Sequence, residues 1–222
     1  MKISDRIKGF TLKQMYAYLD KDPDTNIPKL LDYLEKSDKD GQGVTDQIEN
    51  IRKVISDPSS NWYRLIKSLW TDIDAEQRKA LVETAVVNGS LIGTPETMRW
   101  QDKYQCNVPW AILMDPTSAC NLHCTGCWAA EYGNKLNLSF DELGSIIRQG
   151  KEMGTYVYIY SGGEPLVRKD DLIRLCEKHS DCAFLAFTNG TLIDDKFADE
   201  MLRVHNFVPA ISIEGFEEAT DY

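Results

Sequence analysis

The sequence lacks any long apolar run. No stretch of about 18 apolar residues occurs, so nothing in it predicts a membrane span. The amino-terminal segment MKISDRIKGFTLKQ also lacks the apolar core of a secretory signal. Hydrophobic residues make up 42% of the chain and charged residues 27%, which is ordinary for a globular protein. We therefore expect a cytoplasmic protein with a hydrophobic core.

Basic residues are scarce relative to acidic ones. The chain has 25 lysines and arginines against 35 aspartates and glutamates, a formal net charge of -10. Residues 111–222 carry 9 of the basic residues and 18 of the acidic ones. A nucleic-acid groove needs clustered cations to neutralise phosphates, so this balance argues against DNA or RNA as a ligand.

Cysteine is also rare, and its placement is uneven. Three of the six cysteines, Cys120, Cys124 and Cys127, lie within CNLHCTGCW, residues 120–128. In a cytoplasmic protein, clustered thiols more often bind metal or do chemistry than form disulfides. Cys176 and Cys182 fall within helix and strand patterns, which predicts that they are small core residues.

Residues 1–105 predict an all-α domain that ends in a linker, because apolar residues recur there at helical spacing and β-branched runs are few. We expect Trp62, Leu65, Ile66 and Leu69 to form the core stripe of one helix. Gly89 is expected to end the last helix. Five helices are predicted, over 11–19 (capped by Thr11), 27–37 (with Pro28 in its first turn), 44–57, 59–70 and 74–89, with a loop at 37–43 and a linker at 94–109.

Residues 106–222 predict a second, α/β domain. Apolar and β-branched runs alternate there with amphipathic segments, which indicates parallel strands joined by right-handed crossovers. Ser139 and Glu142 have the spacing of a capping box at the start of the first helix. Strands are predicted over 110–117, 155–163, 182–190 and 208–215, and helices over 139–154, 169–180 and 194–204.

Each predicted strand ends in a polar or glycine-rich segment. The first runs into CNLHCTGC, and the others end in SGGEP (161–165), TNG (188–190) and SIEG (212–215). In parallel α/β sheets and barrels, ligands bind at the carboxyl ends of the strands. We therefore expect these four segments to meet at one edge of the sheet.

The three cysteines leave several chemistries open. Structural zinc takes four ligands, and His123 or Cys106 would have to supply the fourth. A four-iron cluster held by three cysteines leaves one iron open for another ligand. A redox dithiol formed by Cys124 and Cys127 would leave Cys120 without a role.

At this point the motifs resemble those of a known family. CNLHCTGC resembles the cluster motif of the radical S-adenosylmethionine (radical SAM) superfamily, and SGGEP, about 35 residues later, resembles its GGE motif. SIEG is similar to the ribose-contacting end of the family's fourth strand. The resemblance covers about residues 109–215. It departs locally, because the family often has an aromatic residue where Gly126 stands, whereas here Trp128 follows the third cysteine.

The resemblance implies an enzyme with two cofactors, a [4Fe-4S] cluster and S-adenosyl-L-methionine (SAM). In it, the cluster cleaves SAM to a 5′-deoxyadenosyl radical that abstracts hydrogen from a substrate, which the sequence does not identify. A reductant such as flavodoxin or ferredoxin supplies the electron. The implied cluster ligands are Cys120, Cys124 and Cys127, and the implied SAM-binding residues are Gly162, Gly163, Glu164, Asn189, Ser212 and Glu214.

The family core resembles a partial barrel of six strand–helix units. The sequence predicts four of these six strands, preceded by the all-α domain, so we expect a C-terminally incomplete piece of a longer enzyme. That piece is expected to assemble much of the cluster site but to turn over slowly or not at all. The alternative functions are a zinc- or cluster-binding interaction module and a non-catalytic fragment.

Overall fold

The computed structural model describes residues 14–37 and 45–216. It forms two compact units, Met1–Lys79 and Ala80–Tyr222, which we describe separately. The predicted cap at Thr11, most of the loop at 37–43 and the ending EEATDY lie outside the described residues. Within them, no helix combines the length and apolar character needed to cross a membrane. The predicted domain boundary near residue 105 stays a prediction.

The first unit is helical, as predicted. Its helices are α1 (14–21), α2 (Pro23–Ser37), α3 (Thr45–Ile55), α4 (Asn61–Thr71) and the start of α5 (Ala75–Leu81). Arg78 on α5 pairs with Asp20 on α1 at 2.8 Å, and its side chain is largely buried. The Arg78 guanidinium also donates to the carbonyl oxygens of Leu69 and Ile73. Arg78 therefore fastens α1, the end of α4 and α5 to one another.

The predicted core stripe on α4 is wrong except at Ile66, which is half-buried and lines a cavity. Trp62 is 66% exposed, and Leu65 and Leu69 are also exposed. The face of α4 that carries Tyr63 and Trp70 lines a cavity of about 540 Å³ between α2, α3 and α4. The Trp70 indole also donates to Asp20 at 3.1 Å, so this polar contact helps to select the face that is turned inward.

The predicted start of the second helix is also wrong, because Pro28 lies inside α2 rather than in its first turn. The helix begins at Pro23, a residue suited to the first helical position. The Asp22 side chain accepts a hydrogen bond from the Thr25 backbone N–H at 3.2 Å, which satisfies one of the free donors at this end.

The predicted helix end at Gly89 and the linker at 94–104 are wrong as well. α5 continues through a π-helical segment, Val82–Gly93, into α6 (Thr94–Tyr104). A Cβ atom at Gly89 would lie 3.3 Å from Val157, and one at Gly93 would lie 2.2 Å from the Gly154 carbonyl oxygen. These glycines thus allow close packing inside a helix, where the sequence pattern predicted a helix end.

The second unit contains a four-stranded sheet in the order β1-β2-β3-β4. Every neighbouring pair is parallel, which confirms the predicted α/β class. Met114, Tyr160, Ala186 and Pro209 are register partners across the sheet. The strands are β1 (Ala111–Met114), β2 (Val157–Tyr160), β3 (Ala183–Thr188) and β4 (Phe207–Ile211), joined by α7 (Phe140–Glu152), α8 (Lys169–Lys178) and α9 (Asp195–Val204). The predicted capping box at the start of α7 is present.

One face of the sheet forms the core. Tyr160 on β2 is fully buried and stacks on Phe184 of β3, with ring centroids 5.8 Å apart. The Tyr158 hydroxyl donates to backbone carbonyls, so this polar tip is satisfied inside the core. Cys176 and Cys182 are also fully buried, which confirms their prediction as core residues. The helices contribute Leu143, Ile147, Leu172, Leu175 and Phe197 to the same cluster.

The other face of the sheet is more open. Side chains alternate between the two faces of a strand, and Leu113 and Phe187 point away from the helix-covered core. Both are about half exposed. The carboxyl ends of all four strands lie at one edge of this sheet, and the segments that follow them build the candidate site.

Candidate active site

The cysteines lie in a long loop that is closed at its base. This cysteine loop comprises residues 119–135, between β1 and α7. At its base Thr117 and Asn137 form an antiparallel bridge. The Ser118 N–H donates to the Leu136 carbonyl oxygen at 2.8 Å, and the Leu136 N–H donates to the Ser118 hydroxyl at 3.1 Å. The loop therefore leaves and rejoins the fold at one fixed point.

Arg168, which directly precedes α8, fixes the base of the cysteine loop by hydrogen bonds. Its Nη1 donates to the carbonyl oxygens of Pro116 and Leu138, at 3.2 and 3.0 Å. Its other nitrogens bind the Asp171 carboxylate, which holds the guanidinium in place. Arg168 was not predicted from the sequence, although a basic residue just after SGGEP and before a helix rich in acidic residues was a visible signal.

All three motif cysteines are free, and they line one cavity of about 270 Å³. Cys124 is exposed, and Cys120 and Cys127 are partly buried. Gly163 from SGGEP lines the same cavity. His123, which is exposed, lines it as well. In residues 14–37 and 45–216, no three His, Cys, Asp or Glu side chains are arranged to hold a single metal ion.

The other cysteines are placed differently. Burial raises the pKa of the Cys176 and Cys182 thiols, so both stay protonated inside the core and are poor metal ligands. Cys106 is exposed and lies before β1, at the opposite end of that strand from the cysteine loop.

The two glycines of SGGEP pack against the start of the cysteine loop. Gly162 has a φ of 107°, which favours glycine, and a Cβ there would lie 2.6 Å from the Thr117 carbonyl oxygen. A Cβ at Gly163 would lie 2.3 Å from the Ala119 carbonyl oxygen. The Gly163 N–H donates to the Thr117 carbonyl oxygen at 3.0 Å. The missing side chains thus let two backbone segments approach each other directly beneath the cysteines.

Glu164 is buried and joins two strand ends. It is 1% exposed, and its carboxylate accepts hydrogen bonds from Thr188, Asn189 and Leu166. These bonds run from the Thr188 hydroxyl at 2.7 Å and from the Asn189 and Leu166 N–H groups at 2.9 Å each. The Glu164 N–H also donates to the Ala119 carbonyl oxygen. In this structure the carboxylate fixes SGGEP to the end of β3.

Asn189 contacts the cysteine loop directly. Its amide nitrogen donates to Asn121 Oδ1 at 3.0 Å, and Asn121 Nδ2 donates to the Thr191 hydroxyl at 2.8 Å. Asn121 and Thr191 were not predicted from the sequence, and Thr188 was predicted only as part of the TNG strand end. A polar residue between two cluster-motif cysteines and the hydrogen-bonding tetrapeptide TNGT were the available signals.

The segment after β4 lies beside the same edge. The Ser212 N–H donates to the Thr188 carbonyl oxygen at 2.9 Å, which extends the β3–β4 pairing by one residue. Glu214 is exposed, two residues further on. The structure therefore brings Ser212 to the end of β3, next to the residue that binds Glu164.

A second cavity, of about 690 Å³, adjoins the cysteine cavity, and the two share Ser118, Ala129 and Gly163. Trp128 is one of its walls and meets Tyr132 edge-on at 5.9 Å. Trp128 is 60% exposed. Asp115 and Lys135 give this mostly apolar cavity two charged groups.

The site defines a class of protein. An α/β sheet presents a cavity at the carboxyl ends of its strands, lined by three free cysteines and by Gly163 of the close-packed glycine pair. Soft thiolate donors on separate positions of one loop fit an iron–sulfur cluster, whose irons each take their own ligand. The open cavity beside them fits a group that binds next to that cluster.

Comparison with known proteins agrees with this class. Residues 114–221 match the family described as the Radical SAM superfamily. An Fe-coproporphyrin III synthase of Methanosarcina barkeri is 33% identical over 116 residues, which are 50% of this chain and 28% of that protein. A serine-type anaerobic sulfatase-maturating enzyme of Klebsiella aerogenes is 32% identical over 133 residues, covering 52% of this chain and 32% of that protein.

The chain spans about a third of the length of these relatives. Among solved structures, SuiB of Streptococcus suis bound to S-adenosylmethionine is similar, with 20% identity and a TM-score of 0.47. That similarity covers 69% of this chain and 35% of SuiB.

Proposed function

We propose that this chain is the cluster-bearing part of a radical SAM enzyme. The observation that carries the proposal is the single cavity lined by Cys120, Cys124 and Cys127, with Gly163 beside them. When bound, a [4Fe-4S] cluster supplies the electron that cleaves SAM to a 5′-deoxyadenosyl radical, which takes hydrogen from the substrate. The names of the two relatives point to different reactions, so the proposal covers the shared chemistry and names no substrate.

The cysteine loop holds the cluster in this proposal. Its three thiolates would each bind one iron, and the fourth iron would be left without a protein ligand. The backbone at Gly162 and Gly163 packs closely against the start of the cysteine loop, which supports the loop from that side. The paired base of the loop and Arg168 hold the three sulfurs at fixed positions relative to the strand ends.

The segments after β2, β3 and β4 bind SAM in this proposal. Gly162 and Gly163 present backbone N–H and carbonyl groups without side chains, so the methionine end of SAM can approach closely. Ser212 and Glu214 provide a hydroxyl and a carboxylate for the ribose. Glu164 and Asn189 belong to the same set, and they act at least in part through the strand ends that they hold together.

A small protein reductant, such as flavodoxin or ferredoxin, supplies the electron in this proposal, and the enzyme works in the cytoplasm. Residues 111–222 are strongly acidic, so an acidic reductant is expected to dock on the near-neutral first half of the chain. Raising the salt concentration should then change the rate of cluster reduction by the protein donor and leave reduction by dithionite unchanged.

Cysteine variants test the proposal. After anaerobic treatment with iron and sulfide, the wild-type chain should hold about four irons and show a brown chromophore. Cys124→Ala should lose the chromophore. Cys106→Ala, which removes an exposed thiol outside the cavity, is the matched control and should keep it. An intact four-iron cluster in Cys124→Ala would overturn the ligand assignment, and one tight zinc in the wild type would favour a zinc-binding module.

A further inference from the structure

Three side chains form a closed hydrogen-bonded triangle between the cysteine loop and the end of β3. Asn189 Nδ2 donates to Asn121 Oδ1, and Asn121 Nδ2 donates to the Thr191 hydroxyl. The Thr191 hydroxyl in turn donates to Asn189 Oδ1 at 2.6 Å. Each of the three functional groups therefore both donates and accepts within the triangle, which fixes all three in one arrangement.

One member of the triangle, Asn121, lies in the chain between the donor and the acceptor of a hydrogen bond to a motif cysteine. Asn121 lies between Cys120 and Leu122, and the Leu122 N–H donates to Cys120 Sγ at 3.4 Å. The geometry of this N–H···S hydrogen bond is set by the backbone of residues 120–122. Asn121 is exposed, so the triangle is what holds its side chain in the described structure.

A second member of the triangle, Asn189, is bound to the buried part of the fold. The Asn189 N–H donates to the Glu164 carboxylate at 2.9 Å, and Glu164 also binds the Thr188 hydroxyl. Glu164 is buried and belongs to SGGEP. A continuous set of hydrogen bonds therefore runs from a buried carboxylate through Asn189 to Asn121 in the cysteine loop.

We propose that Asn121, Asn189 and Thr191 are positioning residues that hold the Leu122 N–H on the Cys120 sulfur and so tune the reduction potential of the cluster. This inference rests on the proposed function. A donor on a ligating sulfur withdraws electron density, so it favours the reduced, more negative cluster. Loss of the triangle frees residues 120–122, weakens this bond and shifts the equilibrium toward the oxidised cluster.

The size of the effect follows from one hydrogen bond. A net contribution of about 0.5–1.5 kcal/mol corresponds to a shift of about two- to tenfold in the ratio of reduced to oxidised cluster. Ligation itself is retained, because the three thiols are unchanged.

Thr191 offers a matched pair of variants. Thr191→Val keeps the shape and removes the hydroxyl, whereas Thr191→Ser keeps the hydroxyl. In a redox titration monitored by electron paramagnetic resonance, without SAM, Thr191→Val and Asn121→Ala should both shift the reduction equilibrium by about two- to tenfold toward the oxidised form. Thr191→Ser and the control Asn107→Ala, an exposed residue before β1, should titrate like wild type. The double variant Asn121→Ala with Thr191→Val should shift no further than Asn121→Ala alone.

The outcomes separate this inference from the proposed function. A wild-type chain that forms no iron–sulfur cluster refutes the proposed function itself. If the wild type forms a cluster, equal reduction potentials in Thr191→Val and Thr191→Ser overturn the positioning role. Additive shifts in the double variant overturn it as well. If Thr191→Val loses its cluster while Thr191→Ser keeps it, the triangle is needed for ligation itself and the tuning role is overturned. The rate of Cys120 alkylation in the metal-free chain checks this separately: it should rise in Thr191→Val only, and equal rates in both variants contradict the proposal.

Discussion

Replacing Glu164 should destabilise the second unit strongly, because its carboxylate is buried and fully used. Three donors, from Thr188, Leu166 and Asn189, point at it at distances of 2.7 to 2.9 Å. Glu164→Ala leaves two buried donors and one partly buried donor without an acceptor. An unsatisfied buried group costs about 1–3 kcal/mol, so the loss should total about 3–5 kcal/mol of the free energy of unfolding.

Glu164→Gln separates the hydrogen bonds from the volume of the side chain. Glutamine fills the same space but keeps only one acceptor oxygen, while both carboxylate oxygens accept bonds in the wild type. One donor then faces an NH₂ group, and the expected loss is about 1–3 kcal/mol. Glu131→Ala, which removes an exposed carboxylate in the cysteine loop, is the control and should stay within about 0.5 kcal/mol of wild type.

The assay is urea unfolding of the metal-free chain, combined with hydrogen exchange of the Leu166 and Asn189 amides. The Glu164→Ala midpoint should fall by about 1–2 M, given about 2–3 kcal/mol per molar urea. Exchange at both amides should accelerate in Glu164→Ala, and at one of them in Glu164→Gln. A Glu164→Ala chain within about 0.5 kcal/mol of wild type, with unchanged exchange, would refute the assignment of Glu164 as the anchor of the strand ends.

Three further predictions concern the same unit. Gly163→Ala should displace the start of the cysteine loop and sharply lower the iron content after reconstitution. The control Gly126→Ala, whose Cβ would meet nothing within 4 Å, should cost only about 1 kcal/mol of backbone strain and keep the iron. Equal iron contents in the two variants would contradict the packing argument. Arg168→Ala should free two carbonyls at the base of the cysteine loop and speed hydrogen exchange of the Ser118 amide. Arg168→Lys should restore part of the protection. Unchanged hydrogen exchange in Arg168→Ala would contradict the role of Arg168 in fixing the base of the loop. The Phe197 N–H holds the pKa of Asp194 below its ordinary value, so Asp194 stabilises α9 above the ordinary carboxyl range and this stability is lost as the pH falls through the lowered pKa. Asp194→Asn should flatten the acid limb of the thermal unfolding profile, and a limb of unchanged slope would refute that contribution.

The second unit could be predicted from the sequence because local signals there agree with one another. Every predicted strand and helix after residue 109 has a counterpart within a few residues, and Ser139 with Glu142 caps α7 as expected. The alternation of apolar runs with amphipathic segments predicts parallel strands joined by helices. The polar segments that follow the strands must then meet at one edge of the sheet. The positions of Cys120, Cys124 and Cys127 around one cavity follow from that topology.

The first unit was harder to predict because its packing depends on polar contacts between distant residues. Leu65 and Leu69 have the spacing of a buried stripe, but Trp70 turns the neighbouring face inward through its bond to Asp20. At the start of the second unit, Gly93 is likewise a helix-ending residue by local preference, yet it packs on the Gly154 carbonyl within a continuing helix. Contacts of this kind join residues about 50 positions apart and leave no periodic signal in the sequence.

The roles of the strand-end residues also needed the structure. Glu164 and Asn189 were expected from the family resemblance to contact SAM. In the structure their side chains bind other parts of the site, Glu164 holding β3 and Asn189 holding the cysteine loop, and their contact with SAM stays a prediction. Their partners Asn121 and Thr191 become neighbours only when the loop folds back over the end of β3.

The most direct test of the central claim is the electron paramagnetic resonance spectrum of the reduced, reconstituted wild-type chain before and after SAM is added. The account predicts about four irons per chain, a reduced-cluster signal, and a change in that signal when SAM binds the open iron. A chain that holds a single zinc, or a four-iron cluster whose spectrum does not respond to SAM, would contradict it.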